Sequence, residues 1–195
     1  MTRMRICVFC GSTSGRRPEF AAAARALGAE MARRGIGLVN GGGHVGLMGA
    51  VADGVLAAGG EAIGVIPRAL MDRELGHRGM TELRVVETMH ERKALMGELS
   101  DGFAALPGGI GTLEELFEAW TWSGLGIHRK PVGVLDVAGY WEPLLAMGER
   151  MVAEGFLPQH LQTSLLVARE PGELLSAMIR YEPPRTRWAA SGVKP

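Results

Sequence analysis

Seven short runs of β-branched and apolar residues alternate with longer stretches of helical period, and this alternation constrains the fold more than any other feature. The runs are Arg5 to Phe9, Gly37 to Asn40, Ala62 to Ile66, Leu83 to Glu87, Gly102 to Leu106, Val132 to Leu135 and Ser164 to Val167. Between them, Phe20, Ala24, Leu27 and Met31 share one helical face, and Pro18 suits that helix's start. Met48, Val51, Val55 and Ala58 line a second helix, Leu113, Leu116, Phe117 and Trp120 a later one, and Leu174, Leu175 and Met178 the last. Strand then helix, repeated, predicts an α/β fold: a mostly parallel sheet of about seven strands with helices on both faces. At 195 residues the chain can bury one complete core, so one domain over residues 1–181 is expected, followed by a loose tail over 182–195. The segment from Pro67 to Thr81 is highly charged and is expected to be a long loop near the site.

Charge narrows the function classes. The 21 Lys and Arg balance the 21 Asp and Glu, which argues against a chain built to grip a nucleic-acid polymer or an anionic membrane. No apolar run approaches a membrane span, and Ile6 to Phe9 is too short for a signal-peptide core, so a cytoplasmic protein is expected. Cys7 and Cys10 form a C-x-x-C, but inside an apolar run rather than at a helix start, which favours packing over redox chemistry. Two thiols cannot close a four-ligand zinc site and no histidine pairs with them, so neither a metal nor a cofactor is expected.

Three strand-to-helix junctions carry glycines: Cys10-Gly11-Ser12-Thr13-Ser14-Gly15, Gly41-Gly42-Gly43-His44-Val45-Gly46 and Pro107-Gly108-Gly109-Ile110-Gly111-Thr112. Each can cradle an anion, because glycine lets backbone N–H groups approach phosphate oxygens and the following helix offers unpaired donors and a positive dipole end. The second junction is a literal G-x-G-x-x-G with Glu61 at the distance of a ribose partner, which admits a dinucleotide dehydrogenase; that motif falls at the second strand, and no second domain is evident. No Walker A lysine follows any of the three. In the third, Thr112 and Glu115 stand at the spacing of a capping box, a purely structural alternative to a functional carboxylate. The run Met89-His90-Glu91-Arg92-Lys93 opens another helix, and its basic pair can either face solvent or meet a phosphorylated ligand.

Pro107-Gly108-Gly109-Ile110-Gly111-Thr112-Leu113-Glu114-Glu115 resembles the P-G-G-x-G-T-x-x-E signature of the LONELY GUY family, phosphoribohydrolases that release cytokinin bases from nucleoside 5′-monophosphates. Cys10-Gly11-Ser12, Gly41-Gly42-Gly43 with Gly46-Leu47-Met48-Gly49, Met89-His90-x-Arg92-Lys93 and Thr121-Trp122 with Leu125-Gly126-Ile127-His128 resemble the family in order and spacing. The resemblance implies a Rossmann-like fold, a homodimer with sites near the interface, and catalysis by an arginine and a glutamate, here Arg92 and Glu115. It also implies nucleotide contacts at Glu74, Met89, Lys93, Gly108, Gly109, Ile110, Gly111, Thr112 and Thr121, beside the anion cradles at Gly11, Ser12, Gly42 and Gly43. Glu91 departs from the family, standing where many relatives have Gln. The expected reaction is hydrolysis of the N-glycosidic bond of a purine nucleoside 5′-monophosphate, with Glu115 stabilising the ribosyl cation and activating water, and with Glu74 or solvent protonating the base. The alternatives are a non-catalytic carrier of a nucleotide or of the molybdenum cofactor, and a general purine nucleotide nucleosidase.

Overall fold

The computed structural model describes residues 4–74 and 76–183, without the side chains of residues 72–74. Among the described residues the strands are β1 (Arg5–Phe9), β2 (Gly37–Asn40), β3 (Ala62–Pro67), β4 (Glu82–Val86), β5 (Gly102–Ala105), β6 (Val132–Leu135) and β7 (Leu165–Ala168). They form one sheet in the order β4-β3-β2-β1-β5-β6-β7, every neighbouring pair parallel. The chain starts at the middle strand, works outward to β4, and crosses back to lay β5 on the other side of β1. Successive connections therefore leave in opposite directions from β1 and β5, which opens a crevice at the carboxyl ends of those two strands.

The helices are α1 (Pro18–Arg33), α2 (Gly46–Ala57), α3 (Arg68–Glu74), α4 (Met89–Glu98), α5 (Ile110–Leu125), α6 (Glu142–Ala153), α7 (Gln159–Gln162) and α8 (Pro171–Ile179). Strand side chains alternate between two core layers. Ile6 and Val8 join α1, α2 and α8 on one face, whereas Cys7 and Phe9 join α4 and α5 on the other. Cys7 and Cys10 thus belong to opposite layers as free, buried thiols, and burial pushes both well above the usual thiol range. A redox pair needs an accessible thiolate, and this pair has none.

The segment from Pro67 to Thr81 differs from the expected loop, because Arg68–Glu74 is helical. Its charges conceal a run of good helix formers, Ala69-Leu70-Met71, entered from a proline whose fixed φ suits the start of a helix. The apolar face expected for α5 also differs: Leu116 and Trp120 are buried, but Phe117 is turned outward. In α2 burial extends well beyond one stripe, because α1 lies almost backbone to backbone on it. A Cβ on Gly28 would stand 2.2 Å from Val51 O, and one on Gly54 would stand 2.3 Å from Arg25 O. Residues 184–195, most of the expected tail, lie outside the described residues.

Candidate active site

Three glycine-rich turns meet at the carboxyl edge of the sheet and are stitched together through Gly11. Its N–H donates to Pro107 O at 3.1 Å, and its carbonyl accepts from Leu47 N at 3.0 Å. A Cβ on Gly46 would fall 2.3 Å from Ser12 C, so the first turn rests directly on the second. The second turn is organised by Asn40, which is fully buried at the end of β2. Its amide donates to Met48 O at 3.2 Å and its Oδ1 accepts from Gly42 N at 2.9 Å. Gly42, with φ of 77°, returns its carbonyl to His77 N at 2.9 Å, and Gly43 bridges Gly76. The Gly11 and Gly42 N–H groups are therefore committed within the protein, and Ser12 is exposed beside them.

The third turn is different. Gly109 is the N-cap of α5, so Ile110, Gly111 and Thr112 occupy the first helical turn and their N–H groups have no intrahelical acceptor. Gly109 and Gly111 have open space where a Cβ would project. Thr112 is buried beneath Gly108, whose Cβ would stand 2.1 Å from Thr112 Oγ1. The capping-box alternative for Thr112 and Glu115 therefore fails, because the helix begins two residues earlier. A side-chain cap exists instead on α4, where Thr88 accepts from Glu91 N at 3.1 Å and the Glu91 carboxylate reaches back past the N-cap to accept from Glu87 N at 2.9 Å. Glu91, the family departure, is used in this way.

That cap sets the first turn of α4 and turns Arg92 into the protein, where it is buried. Arg92 Nε donates to Val65 O at 3.1 Å, Nη2 to Gly41 O at 3.2 Å, and Nη1 to the sulfur of the half-exposed Met89 at 3.8 Å. A Cβ on Gly41 would stand 1.9 Å from Nη2. The first glycine of the G-x-G-x-x-G therefore makes room for an arginine rather than for a pyrophosphate. The dinucleotide alternative fails on Glu61 as well, because it precedes β3 at the opposite edge of the sheet and pairs with Arg5 at 3.0 Å.

Glu115 projects from α5 into a pocket walled by Phe9, Phe103 and Trp122. Burial among these groups pushes its carboxyl up to about 7; Arg92 and Lys93 oppose the shift, and Glu114 and Glu118 add to it. Arg92 reaches Glu115 through charge, since its described hydrogen bonds go to backbone carbonyls and to sulfur. Lys93 shares the pocket but donates to Glu114 at 2.6 Å and to Glu118 at 2.9 Å, which raises its own pKa. Thr121 is exposed about 18 Å along α5 from Gly109, given 1.5 Å per residue, and is not gathered with the anion turn. Glu74 closes α3, and its side chain lies outside the described residues. Asn40, Glu118 and His77 organise the site without having been singled out by sequence. For Asn40 a signal existed, in a polar residue ending an apolar strand just before three glycines.

A parallel sheet with unpaired helix donors at its switch point, a buried arginine and a carboxyl titrating near neutrality defines a nucleotide-handling α/β protein equipped for proton transfer. The family model described as "possible lysine decarboxylase" matches residues 48–178. A probable cytokinin riboside 5′-monophosphate phosphoribohydrolase of Oryza sativa subsp. japonica is 51% identical over 193 residues, spanning 96% of this chain and 86% of its own. A cytokinin riboside 5′-monophosphate phosphoribohydrolase of Arabidopsis thaliana is 49% identical, over 92% of this chain and 82% of its own. The chain belongs to the LONELY GUY family of phosphoribohydrolases. Among solved structures, the molybdenum cofactor carrier protein of Chlamydomonas reinhardtii shares the fold, with a TM-score of 0.68 at 21% identity over 92% of this chain and 98% of its own.

The decarboxylase description implies pyridoxal phosphate, which needs a lysine able to lose its proton and form a Schiff base. Lys93 is held as an ammonium by two carboxylates, Lys130 donates to Gly97 O at 2.8 Å, and Lys194 lies outside the described residues. The described lysines do not fit that group. Among the described residues no three His, Cys, Asp or Glu side chains cluster as a metal site requires, and no helix is long and apolar enough to cross a membrane.

Proposed function

We propose that the protein hydrolyses the N-glycosidic bond of adenosine 5′-monophosphates, N6-modified ones included, to free base and ribose 5-phosphate. The observation that carries this reading is Glu115, a carboxyl at about 7 in an apolar pocket, on the same helix as the unpaired N–H groups of residues 110–112. The phosphate sits on those donors and places the ribose over Glu115. As the C1′–N9 bond breaks, positive charge grows on the ribose, and the carboxylate stabilises it while accepting a proton from the attacking water. Water oxygen bonds C1′, and the base leaves with a proton on N9, supplied by solvent. Arg92 acts by its charge and by fixing the second glycine turn through Gly41 O.

The working unit in this reading is a cytoplasmic homodimer. Ile110, Phe117 and Leu125 along α5 and Met89 at the start of α4 are large apolar side chains left exposed, and such side chains favour burial by a second copy. Thr121, on the same stretch of α5, joins the site through that interface. The test is incubation of the pure protein with AMP and, separately, with isopentenyladenosine 5′-monophosphate, followed by chromatography for free base and ribose 5-phosphate. Strong preference for the prenylated substrate marks cytokinin activation, and equal or better use of AMP marks a general nucleosidase. Tight binding without any base released overturns the hydrolase and leaves a carrier.

A further inference from the structure

Three successive carbonyls ahead of α5 are each tied to a different part of the chain. Pro107 O accepts from Gly11 N at 3.1 Å, Gly109 O from Leu113 N at 3.1 Å, and Gly108 O from the Tyr140 hydroxyl. A trans peptide is planar, so its N–H points away from its carbonyl. Whatever holds Gly108 O therefore also sets the direction of the Gly109 N–H, which adjoins the unpaired donors of residues 110–112. Glycines flank this peptide on both sides, so it carries no Cβ of its own to fix its orientation; Gly108 is packed against Thr112 and Gly11, whereas a Cβ on Gly109 would meet nothing within 4 Å.

Tyr140 reaches the turn from the β6–α6 connection, and the connection is shaped to deliver it. Ala138 and Gly139 take φ of 54° and 74°, the left-handed region, which is unfavourable for alanine and is retained where the surroundings demand it. The Tyr140 ring is held edge-on against Phe20 and Trp141, with centroids 5.8 and 5.1 Å away. Trp141 is anchored in turn by its backbone N–H, which donates to Asp136 Oδ1 at 2.9 Å. The ring also borders the hollow between Ser14 on the first turn and Gly109 on the third.

We infer that Tyr140 is a positioning residue, whose hydroxyl fixes the Gly108–Gly109 peptide so that its N–H faces the substrate phosphate. The inference rests on the proposed nucleotide site. Its test is Tyr140→Phe, which removes the hydroxyl and keeps the ring packing. Three quantities are compared in the full-length protein: affinity for ribose 5-phosphate, affinity for adenosine, which lacks the phosphate, and the steady-state constants for AMP. Affinity for ribose 5-phosphate falls about 10-fold, the effect of one lost hydrogen bond to a charged ligand's cradle, and KM for AMP rises more than kcat falls. Adenosine affinity and the thermal midpoint stay at the parent values, whereas Tyr140→Leu, which also strips the ring, lowers the midpoint. Unchanged ribose 5-phosphate affinity in Tyr140→Phe overturns the inference, and so does an equal loss for both ligands. A parent protein that binds ribose 5-phosphate yet releases no base sinks the hydrolase reading while the Tyr140 comparison still stands on binding. A parent that binds no ribose 5-phosphate overturns the inference itself.

Discussion

Glu115 is costly to keep ionised, and that cost is the clearest mark of its use. Its folded carboxyl lies at about 7 against an ordinary 4.5, so the native state holds a proton that the unfolded chain has already released across that interval. Stability therefore falls as pH rises from about 4.5 to about 7, by up to roughly 3 kcal/mol at 1.36 kcal/mol per pH step. Glu115→Gln accordingly raises the thermal midpoint at pH 8 and loses that advantage below pH 4, which a pair of melting curves will show. The same change lowers kcat about 100-fold or more while substrate binding persists, and it flattens a pH–rate profile that in the parent rises through about 7. Spacing alone left Arg92 and Glu115 open between structural and functional roles, and the resemblance to the LONELY GUY signature singled them out. Their surroundings were not legible, because the carbonyls that hold Arg92 come from Gly41 and Val65, and the rings that desolvate Glu115 come from β1, β5 and the far end of α5.

At the scale of elements, one sequence pattern has two outcomes. Thr-x-x-Glu occurs at Thr88–Glu91 and at Thr112–Glu115, and only the first is a cap. Pro107-Gly108-Gly109 enters α5 extended, which moves the N-cap to Gly109 and frees Glu115 for the pocket; local spacing alone does not reveal that shift. Thr88→Ala should destabilise the protein by about 1 kcal/mol, measured by denaturant unfolding, and loosen Arg92 with the helix start. Gly41→Ala is more specific: a methyl 1.9 Å from Nη2 must displace the guanidinium, so activity is expected to drop at least about 10-fold while circular dichroism stays that of the parent. The strands were legible to within a residue or two because period and glycine punctuation agree. The helix α3 was missed because its charges masked its propensity.

Over the whole molecule, the parallel sheet followed from the alternation of elements, since a parallel strand pair demands a crossover, whereas the strand order that places the switch point between β1 and β5 did not. The exposure of Phe117 on α5 did not follow, because its spacing alone fits an inward and an outward face equally well. Sedimentation is expected to give twice the 20.8 kDa chain mass, and Phe117→Glu to shift the protein toward one chain with loss of turnover. The strand order also has a consequence during synthesis. β1 has one partner nearby in sequence, β2, but its other partner is β5, at residues 102–105, so that side of the central strand can have no partner until that stretch has left the ribosome. At about 5–20 residues per second, the roughly 100 residues between them leave that edge open for about 5–20 s. In that interval the most central backbone of the nascent chain presents an unpaired edge, and the event that ends the exposure also creates the crevice at the carboxyl ends of β1 and β5.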